Sequence, residues 1–179
     1  MALRNTPGSY GLLTRAMHWL TALLVLTALP FGAYIARMEV TLDSLKYFGW
    51  HKSAGIVVLA LIALRIVWHR ISPTPKLLGE GGWKDRLARW VHRGFYVLLV
   101  LMPLSGWFAS SATGIDTVVF GTWTLPRIAP VSEAVADAGF RVHGALGLIL
   151  ALTVALHIAG AVYRGVVVGD RTIARMLRG

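Results

Sequence analysis

Residues 141–163 read RVHGALGLILALTVALHIAGAVY, an apolar run that holds two histidines, His143 and His157. Fourteen positions separate them, and at about 100° per residue a helix returns to within about 40° of its starting direction over that distance. Both imidazoles therefore lie on one face of the predicted helix, about 21 Å apart along its axis. Since the apolar part of a bilayer is roughly 30 Å thick, the run is long enough to cross a membrane with one histidine near each end.

The composition of the whole chain agrees with a membrane protein. Of its 179 residues, 56% are hydrophobic and only 15% are charged, which is too apolar for a soluble domain of ordinary composition. The chain has no cysteine, which excludes disulfides, iron–sulfur clusters and thiolate zinc sites. The formal net charge is +10, but the basic residues lie between apolar runs. Membrane orientation explains this charge better than nucleic-acid binding does, so we expect a lipid bilayer and no nucleic acid as partner.

Four apolar segments each approach the roughly 20 residues that a membrane-spanning helix needs. We place these spans at about 14–36, 49–68, 91–111 and 140–163. We do not expect the first span to be a signal peptide, because its apolar stretch is too long, contains His18 and Trp19, and is followed by another span. The sequence therefore predicts a single membrane domain over residues 1–179, an all-α integral membrane four-helix bundle.

Lysine and arginine predict the direction of the spans. Most of them lie before span one, between spans two and three, and after span four. By the positive-inside rule both termini should be cytoplasmic, and the links at 37–48 and 112–139 should face outward. We also expect a short interfacial helix at Trp83–Trp90, leading into span three, and a short helix at Val131–Ala138 in the outer link.

This direction assigns each histidine a depth in the membrane. His51 begins span two and His143 begins span four, so both lie at the outer side at matching depth. His157 lies near the inner end of span four, where its partner is either His18 or His92. We prefer His18, because apolar residues flank it, whereas arginines flank His92.

Two imidazoles at one depth on facing helices are typical axial ligands of haem iron. Without cysteine the covalent c-type attachment is excluded, so the haem would be bound non-covalently as b-type. The matched depths predict two b haems, one ligated by His51 and His143 and one by His18 and His157, with His92 in reserve for His18. The alternative is a haem-free transporter or structural bundle, whose histidines only form hydrogen bonds between helices.

Arg65 lies fourteen residues after His51 and so shares its helix face at the inner depth. An arginine inside a span is energetically costly and is seldom left without a partner. A haem propionate is a suitable partner, since arginine binds carboxylates well; snorkelling to the lipid headgroups is the alternative. Arg15, Lys52 and Arg141 adjoin ligand positions and are further propionate candidates.

Glycines and the remaining histidines add weaker signals. Gly55 and Gly147 each follow an outer histidine by four residues, and glycine lets a flat macrocycle approach the backbone. Ordinary helix–helix contact is the alternative explanation. His69 lies between a tryptophan and an arginine, which is typical of an interface anchor. His92, if it is not a ligand, is a candidate for quinone binding or proton transfer.

Several short motifs follow one another in order over nearly the whole chain. They are Asn5-Thr6-Pro7, Tyr10-Gly11, Ala16-Met17-His18-Trp19, His51-Lys52-Ser53, Gly55-Ile56, Arg65, Trp68, Arg70-Ile71-Ser72-Pro73, Leu104-Ser105-Gly106, Val119-Phe120-Gly121, His143 and His157. Together they resemble the bacterial cytochrome b561 family of four-helix, di-haem membrane cytochromes. The resemblance implies b haems on both sides of a bundle in the bacterial inner membrane, ligated from spans one, two and four.

The resemblance also implies electron transport to or from membrane quinone. At least one member of the family is understood as a superoxide oxidase, which takes an electron from superoxide at the periplasmic face and passes it to ubiquinone. The same superfamily contains the cytochrome b subunits of hydrogenases and formate dehydrogenases, which accept electrons from a partner protein. We therefore expect a superoxide:quinone oxidoreductase, with a haem relay subunit for a partner dehydrogenase or hydrogenase as the alternative.

For the first of these activities, Lys52 and Arg141 are the candidate catalytic residues. With Lys46 and Arg127 they would form an outward basic patch that attracts an anion. Superoxide needs no covalent chemistry from the protein, whose part is ligation, burial and tuning of the haem potential. The outer links carry acidic residues as well as basic ones, so this attraction must be local.

Overall fold

The computed structural model describes residues 2–79 and 81–179 and is built almost entirely of helices. In chain order the elements are α1 (Leu12–Ile35), α2 (Leu45–Ile71), α3 (Trp83–Ala112), β1 (Thr117–Val119), β2 (Trp123–Leu125), α4 (Glu133–Val162), a π-helical segment (Tyr163–Val168) and α5 (Thr172–Leu177). Within the described ranges, four helices are long and apolar enough to cross a membrane. The predicted all-α membrane bundle is therefore confirmed.

The four long helices pack in chain order, α1 against α2, α2 against α3, and α3 against α4. Their shared core lies midway along the bundle and is formed by buried aliphatic side chains. These are Val25, Val58, Ile62, Leu98, Leu99 and Leu150. Outside this core, large apolar residues such as Leu148 and Leu152 are exposed. Such a surface is unfavourable in water but suits lipid, so the helix faces agree with a membrane setting.

The two ends of the bundle differ, and we name them by their contents. At the hairpin end, strand β1 packs against α2 and α3 and pairs with β2. At the terminal end, α5 folds back beneath the start of α1, where Arg15 Nη1 donates to the Leu177 carbonyl at 2.8 Å and Trp19 Nε1 to the Met176 carbonyl at 3.0 Å. The chain termini therefore meet at one end of the bundle, opposite the hairpin.

The first turns of α3 and α4 differ from the sequence expectation. Trp83–Trp90 is not a separate interfacial helix, because α3 runs unbroken from Trp83 to Ala112. No proline or glycine interrupts residues 83–93, so helical hydrogen bonding continues through the interface. Likewise the helix expected near 131–138 is the start of α4, which begins after Ser132, whose hydroxyl accepts from the Val135 N–H at 3.5 Å.

The hairpin was not expected from the sequence. Its strands pair Thr117 with Leu125 and Val119 with Trp123. The turn places Phe120 and Gly121 at φ 53° and 69°, the left-handed pair that a type I′ turn requires. Phe120 is strained there because it carries a side chain, and its N–H donates to Ser53 Oγ of α2 at 2.9 Å. This bond ties the turn to the helix that carries His51.

Candidate functional site

At the hairpin end, His51 of α2 and His143 of α4 face each other. Their ring centroids are 6.2 Å apart and their planes are inclined by 87°. An imidazole nitrogen binds a first-row metal at about 2 Å, so two imidazoles that share a metal have centroids about 6 Å apart. The two rings therefore have the separation that one iron between them requires, and they are the two that the sequence paired.

The hydrogen bonds of His143 prepare it as a metal ligand. Its Nδ1 lies 3.1 Å from the Met102 carbonyl and 3.1 Å from Ser105 Oγ. Ser105 itself donates to the same carbonyl at 2.8 Å. Because a carbonyl only accepts, Nδ1 carries the proton and Nε2 is left with its lone pair. Metal-binding histidines commonly make such a bond through their second nitrogen.

A glycine on a neighbouring helix packs against each of these two rings. A Cβ atom at Gly106 of α3 would lie 2.8 Å from His143 Cε1, and one at Gly32 of α1 would lie 2.7 Å from His51 Cε1. Sequence reasoning missed Gly32 and included Gly106 only within a family motif. Each glycine and its histidine lie on different helices, so spacing along one helix carries no signal of the contact.

His51 differs from His143 in its hydrogen bonding. Its Nδ1 is buried, and none of the residues in 2–79 and 81–179 forms a hydrogen bond to it. A buried polar atom left unpaired costs free energy, so this nitrogen favours an additional group between the helices. The residues at the hairpin end thus fit a haem in two respects, the spacing of the rings and the unpaired nitrogen.

At the terminal end, both candidate partners lie beside His157. The His18 and His157 centroids are 6.1 Å apart with planes inclined by 60°, while those of His92 and His157 are 5.3 Å apart. The His18 separation matches that of the pair at the hairpin end, whereas His92 is closer than a shared iron would place it. His92 is also the more exposed of the two. Phe95 packs against the His157 ring at 5.3 Å.

Two of the predicted propionate residues, Arg65 and Arg15, occupy different surroundings. Arg65 lies on α2 with its guanidinium carbon 6.0 Å from the Tyr96 ring centroid. Its Nε is buried, and the described part of the chain supplies no hydrogen-bond partner to that nitrogen. Arg15 is buried beside the C-terminal segment, where it bonds to the Leu177 carbonyl. The Arg65 Nε–H is thus a buried donor available to an acceptor.

The basic residues of the hairpin end are dispersed. Lys52 is half-buried and lines a groove of about 820 Å³ together with Asp116 of the segment before the hairpin. Arg127 forms an exposed ion pair with the same Asp116 at 2.9 Å, and Arg141 is exposed near the start of the apolar part of α4. The charge of Arg127 is therefore offset locally, which leaves Lys46, Lys52 and Arg141 of the predicted basic patch.

The two glycines singled out by sequence have different neighbours. A Cβ at Gly55 would meet only Pro103 Cβ, at 3.9 Å, so there is open space in front of it. A Cβ at Gly147 would lie 3.2 Å from Met102 Cε of α3. Gly147 therefore contributes to the contact between α3 and α4, and Gly55 leaves room between the helices.

Comparison with known proteins identifies the family. The family model for prokaryotic cytochrome b561 matches residues 9–179. The chain is 32% identical to cytochrome b561 homolog 2 of Escherichia coli (strain K12), over 99% of this chain and 95% of that protein. It is 26% identical to the probable superoxide oxidase CybB of Yersinia pestis, over 94% and 95%, and 27% identical to cytochrome b561 homolog 1 of Escherichia coli (strain K12), over 90% and 92%. The chain belongs to the prokaryotic cytochrome b561 family of multi-pass bacterial membrane proteins, which transfer electrons by means of b-type haem.

Proposed function

We propose that this protein holds two b haems and carries electrons from superoxide to membrane quinone in the bacterial inner membrane. One haem would be ligated by His51 and His143, the other by His18 and His157. The observation that carries this proposal is the equal spacing of the two histidine pairs, 6.2 Å and 6.1 Å. When bound, each haem supplies a one-electron couple at its iron.

The residues around the hairpin-end pair would hold and orient that haem. The Met102 carbonyl and Ser105 fix the tautomer and direction of the His143 ring. Gly106 and Gly32 allow α3 and α1 to approach the two rings. These hydrogen bonds and close contacts would hold the two imidazole rings in a fixed orientation. Groups that orient metal ligands in this way also tune the potential of the bound metal.

At the terminal end, Arg65 is the residue that we assign to a haem propionate. It lies on the same helix as His51 and within electrostatic range of His18 and His157. Its unpaired Nε–H is a donor in a setting where arginine is costly without an anion. A propionate carboxylate would supply that anion and accept the hydrogen bond.

Superoxide would approach the hairpin end, which the positive-inside rule places outside. Lys52 and Arg141 would raise the local concentration of the anion near His51 and His143. Each superoxide gives up one electron and leaves as dioxygen. A quinone takes up two electrons and two protons to become quinol, so two superoxide ions are oxidised for each quinone reduced.

The second candidate function is a haem relay subunit that receives electrons from a partner enzyme. The ion pair between Arg127 and Asp116 favours it, since this pair reduces the positive field of the hairpin end. Stopped-flow mixing of the oxidised holoprotein with superoxide separates the two candidates. Rapid appearance of the reduced haem spectrum supports the oxidase, and an unchanged oxidised spectrum, with or without quinone, supports the relay.

A further inference from the structure

Two members of a polar cluster at the terminal end, Tyr96 and His69, have no part in the proposed function so far. The Tyr96 hydroxyl of α3 lies 2.8 Å from His69 Nδ1 of α2. Arg65, one turn before His69, places its guanidinium carbon 6.0 Å from the Tyr96 ring centroid. Two nitrogens of this cluster, Arg65 Nε and His69 Nε2, are buried without a hydrogen-bond partner among the described residues.

The hydrogen-bond pattern defines what the two nitrogens need. A phenol O–H is a much stronger acid than the N–H of a neutral imidazole, so Tyr96 donates its hydroxyl proton to His69 Nδ1. His69 Nε2 then carries the ring proton and is a donor. Arg65 Nε–H is always a donor. Since the Arg65 Nε–H is assigned to a haem propionate, His69 Nε2 is the buried donor of this cluster that still requires an acceptor oxygen between α2 and α3.

The surroundings indicate a membrane-soluble acceptor. Large apolar residues that face the bilayer flank the cluster, with Val67 and Ile71 on α2 and Val97 on α3 all more than half exposed. Phe95, the neighbour of Tyr96, packs against His157 at 5.3 Å. A ligand held by His69 is therefore close to the histidine pair at the terminal end and open to lipid. A quinone combines carbonyl acceptors with an apolar body, and so has both required properties.

We propose that His69, supported by Tyr96, binds a carbonyl oxygen of the quinone head group. This site deepens the proposed function, on which it rests for the identity of the electron acceptor. Quinone takes two electrons, ultimately from two superoxide ions, and two protons. His69 Nε2 gives one proton to the bound carbonyl oxygen, while Nδ1 takes the hydroxyl proton of Tyr96. Water at the terminal end then returns a proton to Tyr96. The second proton that the quinone needs also comes from this water.

The first test is equilibrium binding of decylubiquinone to the purified holoprotein. We expect His69→Leu to weaken binding at least tenfold, because the donor to the carbonyl is lost. His69→Gln should retain most of the affinity, because its amide nitrogen reaches a similar position and also donates. Haem content and the rate of haem reduction by superoxide should stay at the wild-type level in both variants.

The second test compares two tyrosines at the same end of the bundle. Tyr96→Phe removes the proton donor to His69, so we expect several-fold slower reduction of decylubiquinone by the pre-reduced protein. Tyr163→Phe is the matched control. Its hydroxyl is bonded to Lys84 rather than to the cluster, so reduction should proceed at the wild-type rate.

Wild-type decylubiquinone affinity in His69→Leu would overturn the site. A shifted haem midpoint potential in His69→Leu with unchanged quinone affinity would also overturn the site, because the oxygen that accepts from His69 Nε2 is then a haem propionate. If superoxide fails to reduce the haems but His69→Leu still loses decylubiquinone, the superoxide oxidase function fails and the quinone site stands. If the His69→Leu protein does not accumulate, the other two variants decide. Wild-type decylubiquinone affinity in His69→Gln together with slow decylubiquinone reduction in Tyr96→Phe supports the site. Reduction at the wild-type rate in Tyr96→Phe contradicts it.

Discussion

Gly106 of α3 and the ring of His143 on α4 lie in direct contact, so close that a Cβ at residue 106 would be 2.8 Å from His143 Cε1. One residue earlier in the chain, Ser105 lies 3.1 Å from Nδ1 of the same ring. A single turn of α3 therefore sets both the position and the tautomer of one proposed haem ligand. This relationship connects the sequence motif Leu104-Ser105-Gly106 to haem binding at the hairpin end.

The contact predicts that Gly106→Ala removes the haem of the hairpin end. The added methyl group would displace the His143 ring or push α3 away, and either shift breaks the paired geometry. We expect loss of about half of the bound haem, measured as haem per chain from the pyridine haemochrome spectrum. Gly144→Ala is the matched control, because a Cβ there has no described atom within 4 Å. Full haem content in Gly106→Ala would contradict the role of this contact.

Lys52 and Arg141 are predicted to accelerate the reaction with superoxide. Replacing both by alanine should lower the second-order rate of haem reduction by about tenfold at low salt, since electrostatic steering of this kind raises association rates by about 10–10³-fold. The difference should shrink as ionic strength rises. Arg127→Ala is the comparison variant, because its charge is already offset by Asp116. An unchanged rate in the Lys52→Ala, Arg141→Ala double variant would exclude steering by these residues.

Arg164 is predicted to hold the terminal end together. It forms ion pairs with the buried Asp85 at 2.9 Å and with Asp170 at 2.5 Å. Arg164→Ala would leave the Asp85 carboxylate buried without its cation, which typically costs about 3–5 kcal/mol. We expect a clearly lower thermal midpoint in detergent, whereas Arg178→Ala, an exposed arginine nearby, should melt as the wild type does. Equal midpoints for both variants would refute this assignment.

Docking of α5 should depend on pH through Asp170. Partial burial would raise the pKa of this carboxyl, but hydrogen bonds from Thr172 and Arg164 and the charge of Arg164 outweigh it and hold the pKa below its usual value. The stabilisation is therefore complete above the ordinary aspartate pKa of about 4 and is lost as the pH falls through the lowered value. Hydrogen exchange of residues 172–177 should accelerate in acid. Asp170→Asn should exchange at a rate independent of pH once intrinsic exchange is corrected.

Periodicity along single helices explains how much of the molecule the sequence predicts. The spacing of His143 and His157, the apolar run between them and the distribution of arginines suffice for the four-helix architecture. They also bring His51 close to His143 and His18 close to His157, as the structure shows. These features depend on which face of a helix a residue occupies, and a helical repeat determines that face.

The features that the sequence did not reveal depend on contacts between different helices. The contact of Gly32 with His51 and the hydrogen bond of Tyr96 to His69 each join two elements whose relative rotation follows from packing. The tryptophan and arginine that flank His69 predict an interface anchor and give no sign of its bond to Tyr96. The hairpin was missed because its strands are three residues each, too short for an alternating pattern to stand out.

The central claim is that two b haems are each held by one histidine pair, and haem stoichiometry tests it most directly. The pyridine haemochrome spectrum of the purified protein, divided by chain concentration, should give two haems per wild-type chain. His143→Ala and His18→Ala should each retain one, with the reduced-minus-oxidised spectrum of the remaining haem unchanged. One haem or none in the wild type, or full content in both variants, would contradict the account.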